Sequence, residues 1–449
     1  MSMAARRTLL GIAAIPLIVA AIGIWYIRGP GPLAFADGPK VALADYRGAD
    51  PTGAPAALAQ ASLVERGAYL ARAADCLVCH STAGGKPYAG GLEFKLPFGS
   101  LYSTNITPDK ETGIGNYSDA DFLNAVHRGI RRDGARLYPA MSFTSYSYMT
   151  DADALAIKAY LFSLPPVHAP ARANTLAFPF NQRWTLAFWS ALFNRDTRFE
   201  PDTAKSPEWN RGAYLAEALA HCGECHTPRN LAFALDNRKK FGGALTAGWR
   251  AFNISSDKHT GAGGWREEDL ITYLSAGHAA GHGTASGPMG EAVDHSFSQM
   301  TPEDIRAMVA YLRSVPPVAS TDLPAAPAPA APGSHKDGGD VANARGKMVF
   351  EGACVSCHGW TGESPISPFA TLTGAEAVND PGATNVAQIV ISGTKRHTPA
   401  DAVSMPAFGN AYSDDEIAAV ANYVTARFGA KPSRLTAQDV AELRKQTSQ

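Results

Sequence analysis

The chain has 449 residues, 45 % hydrophobic and 18 % charged, which excludes a disordered chain and sets a prior of about three domains. Forty Lys and Arg against 41 Asp and Glu give a formal net charge of −1. That balance leaves no global electrostatic claim on nucleic acid.

Residues 1–36 read as an N-terminal signal anchor. Arg6 and Arg7 precede an uncharged twenty-residue run, Thr8–Ile27, closed by Arg28. At about 1.5 Å per residue, a helix over this run spans a hydrocarbon core of ~30 Å. Trp25 and Tyr26 stand where an interfacial aromatic belt belongs, and the leading cations place the N-terminus in the cytoplasm. The expected location is the bacterial inner membrane, with the rest of the chain facing the periplasm. Ala34-Phe35-Ala36 offers a rival, a signal-peptide cleavage pattern. The apolar run is long for a cleaved signal, however, and the site ends nine residues past it.

Beyond the anchor the chain repeats itself, and the repeat predicts three domains: residues 57–170, 205–320 and 339–430. Arg66-Gly-Ala-Tyr-Leu-Ala71 recurs unchanged as Arg211-Gly-Ala-Tyr-Leu-Ala216, and Arg345-Gly346 is a degraded third copy. Ala159-Tyr160-Leu161 with Pro165-Pro166-Val167 recurs as Ala310-Tyr311-Leu312 with Pro316-Pro317-Val318, and the third unit keeps Asn422-Tyr423-Val424. Thr150–Asp153, Thr301–Asp304 and Ser413–Glu416 match capping boxes that start the last helix of each unit. Residues 171–204 form an aromatic-rich connector with Phe178, Phe180, Trp184, Phe188, Trp189 and Phe193 around Arg183. It reads as a helix packed against the first two units or, more sharply, as a docking surface for a partner protein or the membrane. Residues 321–338 are an Ala/Pro-rich linker. Residues 431–449 read as an amphipathic helix with a narrow apolar face, which suits packing back on a domain better than membrane binding.

All six cysteines fall into three pentapeptides, Cys76-Leu-Val-Cys79-His80, Cys222-Gly-Glu-Cys225-His226 and Cys354-Val-Ser-Cys357-His358. C-x-x-C-H is the c-type haem attachment signature. Two thiols one helical turn apart add across the two vinyl groups of haem, and the following His reaches the iron from the proximal side. A single C-x-x-C could equally be a redox disulfide or half of a zinc site. Three copies that use every cysteine point instead to three covalent haem c groups, and the motifs are far apart in sequence for zinc.

Each iron then needs a distal ligand or an open site. Met141 lies 61 residues after His80, Met289 lies 63 after His226, and Met405 lies 47 after His358. Met289 and Met405 adjoin proline (Pro288-Met289, Met405-Pro406), Met141 follows one by two residues (Pro139-Ala-Met141), and all three are expected in loops ahead of the last helix. Met149, Met300 and Met308 read as core fillers. His127, His221 and His278 lack a shared offset. By default His127, His278, His282 and His397 are exposed or hydrogen-bonded, while His221 packs on a haem or touches a propionate. Asn105-Ile106 and Asn253-Ile254 are repeat-related and read as Asx turns, or alternatively as propionate contacts.

The three C-x-x-C-H units, the paired Arg-Gly-Ala-Tyr-Leu segments, His221-Cys-Gly-Glu-Cys-His-Thr-Pro-Arg-Asn230 and the Tyr-Leu…Pro-Pro-Val helix ends resemble the three-haem cytochrome c subunit of membrane-bound bacterial dehydrogenases. That group serves alcohol, gluconate, sorbitol, aldehyde and nicotinate-type substrates. The resemblance implies an all-α, loop-rich fold of three tandem class I-like cytochrome c domains, here with an N-terminal transmembrane helix added. It implies a periplasmic catalytic partner (a quinoprotein, flavoprotein or molybdenum enzyme) whose electrons pass through the haems to ubiquinone or a terminal oxidase. It also assigns distal ligation to Met141, Met289 and Met405. No G-x-G-x-x-G, P-loop, G-x-S-x-G or HExxH motif appears, so no catalytic site is expected in this chain. The competing functions are a self-sufficient haem peroxidase or reductase with one open iron, and a terminal-oxidase electron-donor subunit.

Overall fold

The computed structural model describes residues 19, 21–320, 344–397 and 402–446. The expected linker at 321–338 and the start of the third unit therefore lie outside the described residues, as do residues 1–18 and 20 of the expected anchor.

Each unit is built from two helices that cross at a glycine. In the first, α1 (Leu63–Ala73) runs into the short α2 (Cys76–Cys79), and after α3 (Asp119–Arg128) the unit closes with α4 (Asp151–Ser163). The connector contributes α5 (Thr185–Phe193). The second unit has α6 (Pro207–Tyr214), α7 (Gly223–His226), α8 (Gly287–His295) and α9 (Pro302–Leu312). The third has α10 (Ala344–Ala353), α11 (Val355–His358) and α12 (Asp414–Phe428), followed by α13 (Ala437–Gln446). The pairs α1/α4, α6/α9 and α10/α12 pack together. A Cβ on Gly67, Gly212 or Gly346 would run into the carbonyl of Ala156, Ala307 or Ala419, and would crowd the Cβ of Tyr160, Tyr311 or Tyr423. These are the residues that the degraded third repeat retains. Close helix approach, which only a missing side chain permits, explains why the Arg-Gly and Tyr segments recur together.

Local signals start the helices, and for the closing helix of each unit they are the ones the sequence predicts. Ser62 and Glu65 form a capping box on α1, and Ser413 and Glu416 one on α12. Thr150 and Thr301 each accept from the backbone N–H of the Asp three residues on. The second unit has one residue more than the first between its Tyr and its first Cys (Tyr214–Cys222 against Tyr69–Cys76). A π-helical turn, Leu215–Leu219, absorbs it, the usual structural result of a single insertion in a helix.

The all-α expectation needs correction. Four antiparallel hairpins stand between the helices: β1 (Glu93–Leu96) with β2 (Gly99–Tyr102), β3 (Ala244–Thr246) with β4 (Trp249–Ala251), β5 (His278–Ala279) with β6 (Gly283–Thr284), and β7 (Thr394–His397) with β8 (Ala402–Met405). Residues 174–177 of the connector extend the first hairpin through Thr175 N–H to Ser100 O and Ala177 N–H to Phe98 O.

The anchor also needs correction. Among the described residues no helix is long and apolar enough to cross a membrane, so the transmembrane helix, and the inner-membrane placement that rested on it, is not supported. The apolar side chains at the described end of the run stay exposed, Val19, Ile22, Ile24, Trp25, Tyr26 and Ile27 among them, while polar side chains take up its last backbone carbonyls. Arg238 donates to Tyr26 O at 2.6 Å and lies over the Tyr26 ring, Asn230 donates to Ile27 O and Arg195 to Gly29 O. The chain then straps across the second unit. Phe35 packs beside the Tyr311 ring, Ala36 of the alternative cleavage pattern is buried, and Lys40 pairs with buried Asp202 at 2.6 Å.

One hydrophobic core runs through the first two units and includes Leu70, Met149, Leu215 and Met308, with Ala36 of the strap. A second core belongs to the third unit and includes Phe350, Ile417 and Val440. Val440 lies on α13, and Arg444 of that helix pairs with Asp414 and donates to Tyr412 O, so the tail helix folds back on the third unit. In the connector, Trp189 donates to Ala232 O of the second unit and stands edge-on to Phe143 of the first. Phe178, Trp184 and Phe188 remain exposed.

Candidate haem sites

Each pair of cysteines is presented on one turn beside its histidine. The residue before the first Cys, Asp75 or His221, takes a left-handed backbone conformation in units one and two. That reverses the chain after the long helix and starts a fresh turn for the thiols. All six cysteines are free.

The histidines share one geometry. His80 Nδ1 lies 2.7 Å from Thr104 O, His226 Nδ1 2.6 Å from Phe252 O, and His358 Nδ1 2.6 Å from Ala370 O. A carbonyl can only accept, so Nδ1 carries the proton and Nε2 keeps its lone pair. This outer-shell bond fixes the tautomer and ring orientation of a metal-ligating His. Burial lowers the pKa of all three rings, against a smaller raising effect of the same carbonyls, and so favours the neutral ligand form. Sequence reasoning missed these carbonyls. A signal was present in two units, where Thr104 and Phe252 directly precede the repeat-related Asn105 and Asn253.

Those asparagines turn out to be structural. Asn105 Oδ1 accepts from the Thr107 N–H and hydroxyl, and its amide donates to Thr112 Oγ1 and Val167 O. Asn253 repeats the pattern with Ser255, Thr260 and Val318 O. Both amides are fully engaged within the protein. They tie the loop that holds the histidine to the Pro-Pro-Val end of the last helix.

Met141 and Met289 are half-buried and pack against the shared core alongside Cys76 and Cys222, while Met405 packs with Cys354 against the third core. They are not all in loops. Met141 lies in a turn, Met289 is the third residue of α8, and Met405 ends β8 opposite Thr394. Met149, Met300 and Met308 are buried in the shared core. Helix α8 touches both α2 of the first site and β7 of the third, so the element bearing Met289 adjoins all three sites. Arg396 on β7 locks that junction, donating to Gly290 O at 2.5 Å and to Ala276 O, and pairing with Asp294 at 2.9 Å.

Among the other histidines, His127 departs from expectation. His127 is buried, with neither ring nitrogen hydrogen-bonded, and burial pushes its pKa down to about 4. It is therefore neither exposed nor hydrogen-bonded through its ring. His278 bonds Thr284 Oγ1, His282 stacks on Trp265, and His221 meets the Tyr146 ring edge. The side chain of His397 lies outside the described residues. Distance in sequence also proved a poor guide to distance in space, since Cys79 and Cys225 lie within electrostatic range of each other. Even so, among the described residues no group of three or more His, Cys, Asp or Glu is placed to hold a metal ion.

A cytochrome c family model matches residues 64–165, 210–316 and 343–427. The chain belongs to the cytochrome c family. This cytochrome is 38 % identical to the fructose dehydrogenase cytochrome subunit of Gluconobacter japonicus, over 88 % of this chain and 85 % of that one. It is 37 % identical to the gluconate 2-dehydrogenase cytochrome c subunit of Pantoea cypripedii, over 86 % and 90 %. It is 41 % identical to a nicotinate dehydrogenase subunit of Pseudomonas putida over 83 % of this chain, but spans only 31 % of that relative's length.

The donor set fits covalent haem c. Each site offers two free thiols one turn apart and a neutral imidazole whose outward nitrogen is held by a backbone carbonyl. When bound, haem supplies a one-electron ferrous–ferric couple. The protein holds each imidazole in a fixed tautomer through its carbonyl, leaving Nε2 as the donor that would meet an iron.

Proposed function

We propose that the cytochrome carries three haem c groups in three units, 57–170, 205–320 and 339–430. Cys76/Cys79, Cys222/Cys225 and Cys354/Cys357 attach them. His80 with Met141, His226 with Met289, and His358 with Met405 ligate the irons. It relays electrons from a dehydrogenase catalytic subunit, a quinoprotein, flavoprotein or molybdenum enzyme, to ubiquinone or a terminal oxidase. The observation that carries this reading is the thrice-repeated imidazole-to-carbonyl bond beside a free thiol pair. Relatives named as dehydrogenase cytochrome subunits support the carrier role over a self-sufficient haem enzyme. A thioether ligand suits a high-potential carrier.

The test is haem stoichiometry by intact mass, with optical and magnetic spectra of the reduced and oxidised protein. Three haems per chain, all low-spin, are expected. Met405→Ala should remove the Met-ligand signature of one haem without detaching it. An unchanged signature in that variant would remove Met405 from the ligand set. A native high-spin haem that binds carbon monoxide would revive the enzyme reading.

A further inference from the structure

Two tyrosines cross reciprocally between the first two units. The Tyr69 hydroxyl donates to Asp304 Oδ2 at 2.6 Å and accepts from the Thr301 N–H at 3.2 Å. The Tyr214 hydroxyl donates to Asp153 Oδ2 at 2.5 Å and accepts from the Thr150 N–H at 3.2 Å. Thr301 and Asp304 are the cap and third residue of α9, and Thr150 and Asp153 hold the same places on α4. In an ordinary capping box the side chain of the third residue bonds the cap N–H directly. Here a hydroxyl from the other unit stands between them, so each closing helix is capped through its neighbour. The third unit has no such insertion, because α12 closes its own box with Ser413 and Glu416 and the residue equivalent to Tyr69 is the exposed Met348.

All four clasp side chains are buried. Each tyrosine stands on the helix that leads into a C-x-x-C-H turn, and each aspartate on the closing helix of the opposite unit. The π-helical turn after Tyr214 takes up the one extra residue before Cys222. Charge-assisted bonds of this kind are short and directional, and a hydroxyl that both donates and accepts in a dry interface tolerates little displacement.

We propose that Tyr69 and Tyr214, with Asp304 and Asp153, are positioning residues that fix the separation of the first two haems and hence electron transfer between them. The proposal rests on the haem reading only for attachment at the first two motifs. The experiment uses the full holoprotein. Haem content and spin state are measured first, and they test attachment and ligation on their own. Dipolar magnetic spectroscopy of the oxidised haems then gives inter-haem distances, and photoreduction kinetics give transfer rates. In Tyr69→Phe/Tyr214→Phe the distance between the first two haems should broaden and their transfer slow several-fold, with the second-to-third distance and all low-spin signatures unchanged. Asp153→Asn, which keeps an acceptor for Tyr214, should retain the native distance. If the double variant fails to fold, Tyr69→Phe alone makes the same comparison, because Arg211 still pairs with Asp304. A native distance and rate in the tyrosine variants would overturn the proposal.

Discussion

Units one and two differ from unit three in how they meet a neighbour. The first two share one hydrophobic core and exchange tyrosines into each other's helix caps. The third has a core of its own and docks on the second through polar groups: Arg396 of β7 donating to Gly290 O of α8, Arg250 with Asp380 at 2.9 Å, and the Asn385 and Gln388 amides on the backbone of residues 248–250. The third unit lacks the tyrosine that crosses to a partner in the first two, with Met348 in its place. The repeat residues it keeps are the ones that hold its own two helices together.

The largest effect on this contrast should come from a side chain at the helix crossings. Gly212→Val should cost roughly 4 kcal/mol, because a Cβ there meets backbone rather than a movable side chain. Sharing a core, units one and two should then melt together at a lower temperature, whereas Gly346→Val should lower only a separate third-unit transition. Calorimetry with spectroscopic detection of each haem distinguishes these. One common transition in Gly346→Val would show that the third unit is not independent.

Next in size is the latch between units two and three. Arg396 is almost fully buried, and its loss should weaken docking by about 3 kcal/mol. Arg396→Met should therefore enlarge the radius of gyration in solution scattering while the melting of each core stays as it was. No change in scattering would mean that the other polar contacts suffice.

The two halves of the clasp should not be equal. Asp304 keeps a bidentate Arg211 when Tyr69 loses its hydroxyl, while Asp153 would keep the Gly53 N–H at 2.8 Å. Tyr214→Phe should thus be about 1–2 kcal/mol more destabilising than Tyr69→Phe, measured by denaturant unfolding. Equal losses would argue that Arg211 contributes nothing to Asp304.

The smallest effect concerns the N-terminal strap. Burial would raise the Asp202 pKa, but Lys40 and the Ala204 N–H outweigh it and the net shift is downward. A carboxylate with a lowered folded pKa stabilises above its ordinary pKa, near ~3.9, and loses that contribution as pH falls through the lowered value. Proteolysis within residues 29–50 should accelerate below that range in the native protein. Lys40→Met should flatten this acid dependence; if its pH profile matches the native one, the pair does not hold the strap.

Much of this protein was legible in its sequence because the relevant chemistry is local. Two thiols and an imidazole on adjacent turns and a capped helix start are short-range patterns with few structural solutions. The hairpins escaped because their strands are two to four residues long, too short for an alternating pattern to stand out. Hydropathy of the apolar run ending at Ile27 counts side chains and says nothing of Arg238 and Asn230, which the fold brings onto the backbone carbonyls of Tyr26 and Ile27 at its described end. The sequence by itself determined the attachment motifs, the threefold repeat and the capped starts of the closing helices, since these depend on covalent spacing and neighbours within a few turns. Only the tertiary structure decided that Thr150–Asp153 and Thr301–Asp304 are opened by a hydroxyl from the facing unit, and that Thr104, Phe252 and Ala370 hold the imidazoles. Those partners are groups distant in the chain, some of them backbone carbonyls that every residue carries, so no residue letter marks them.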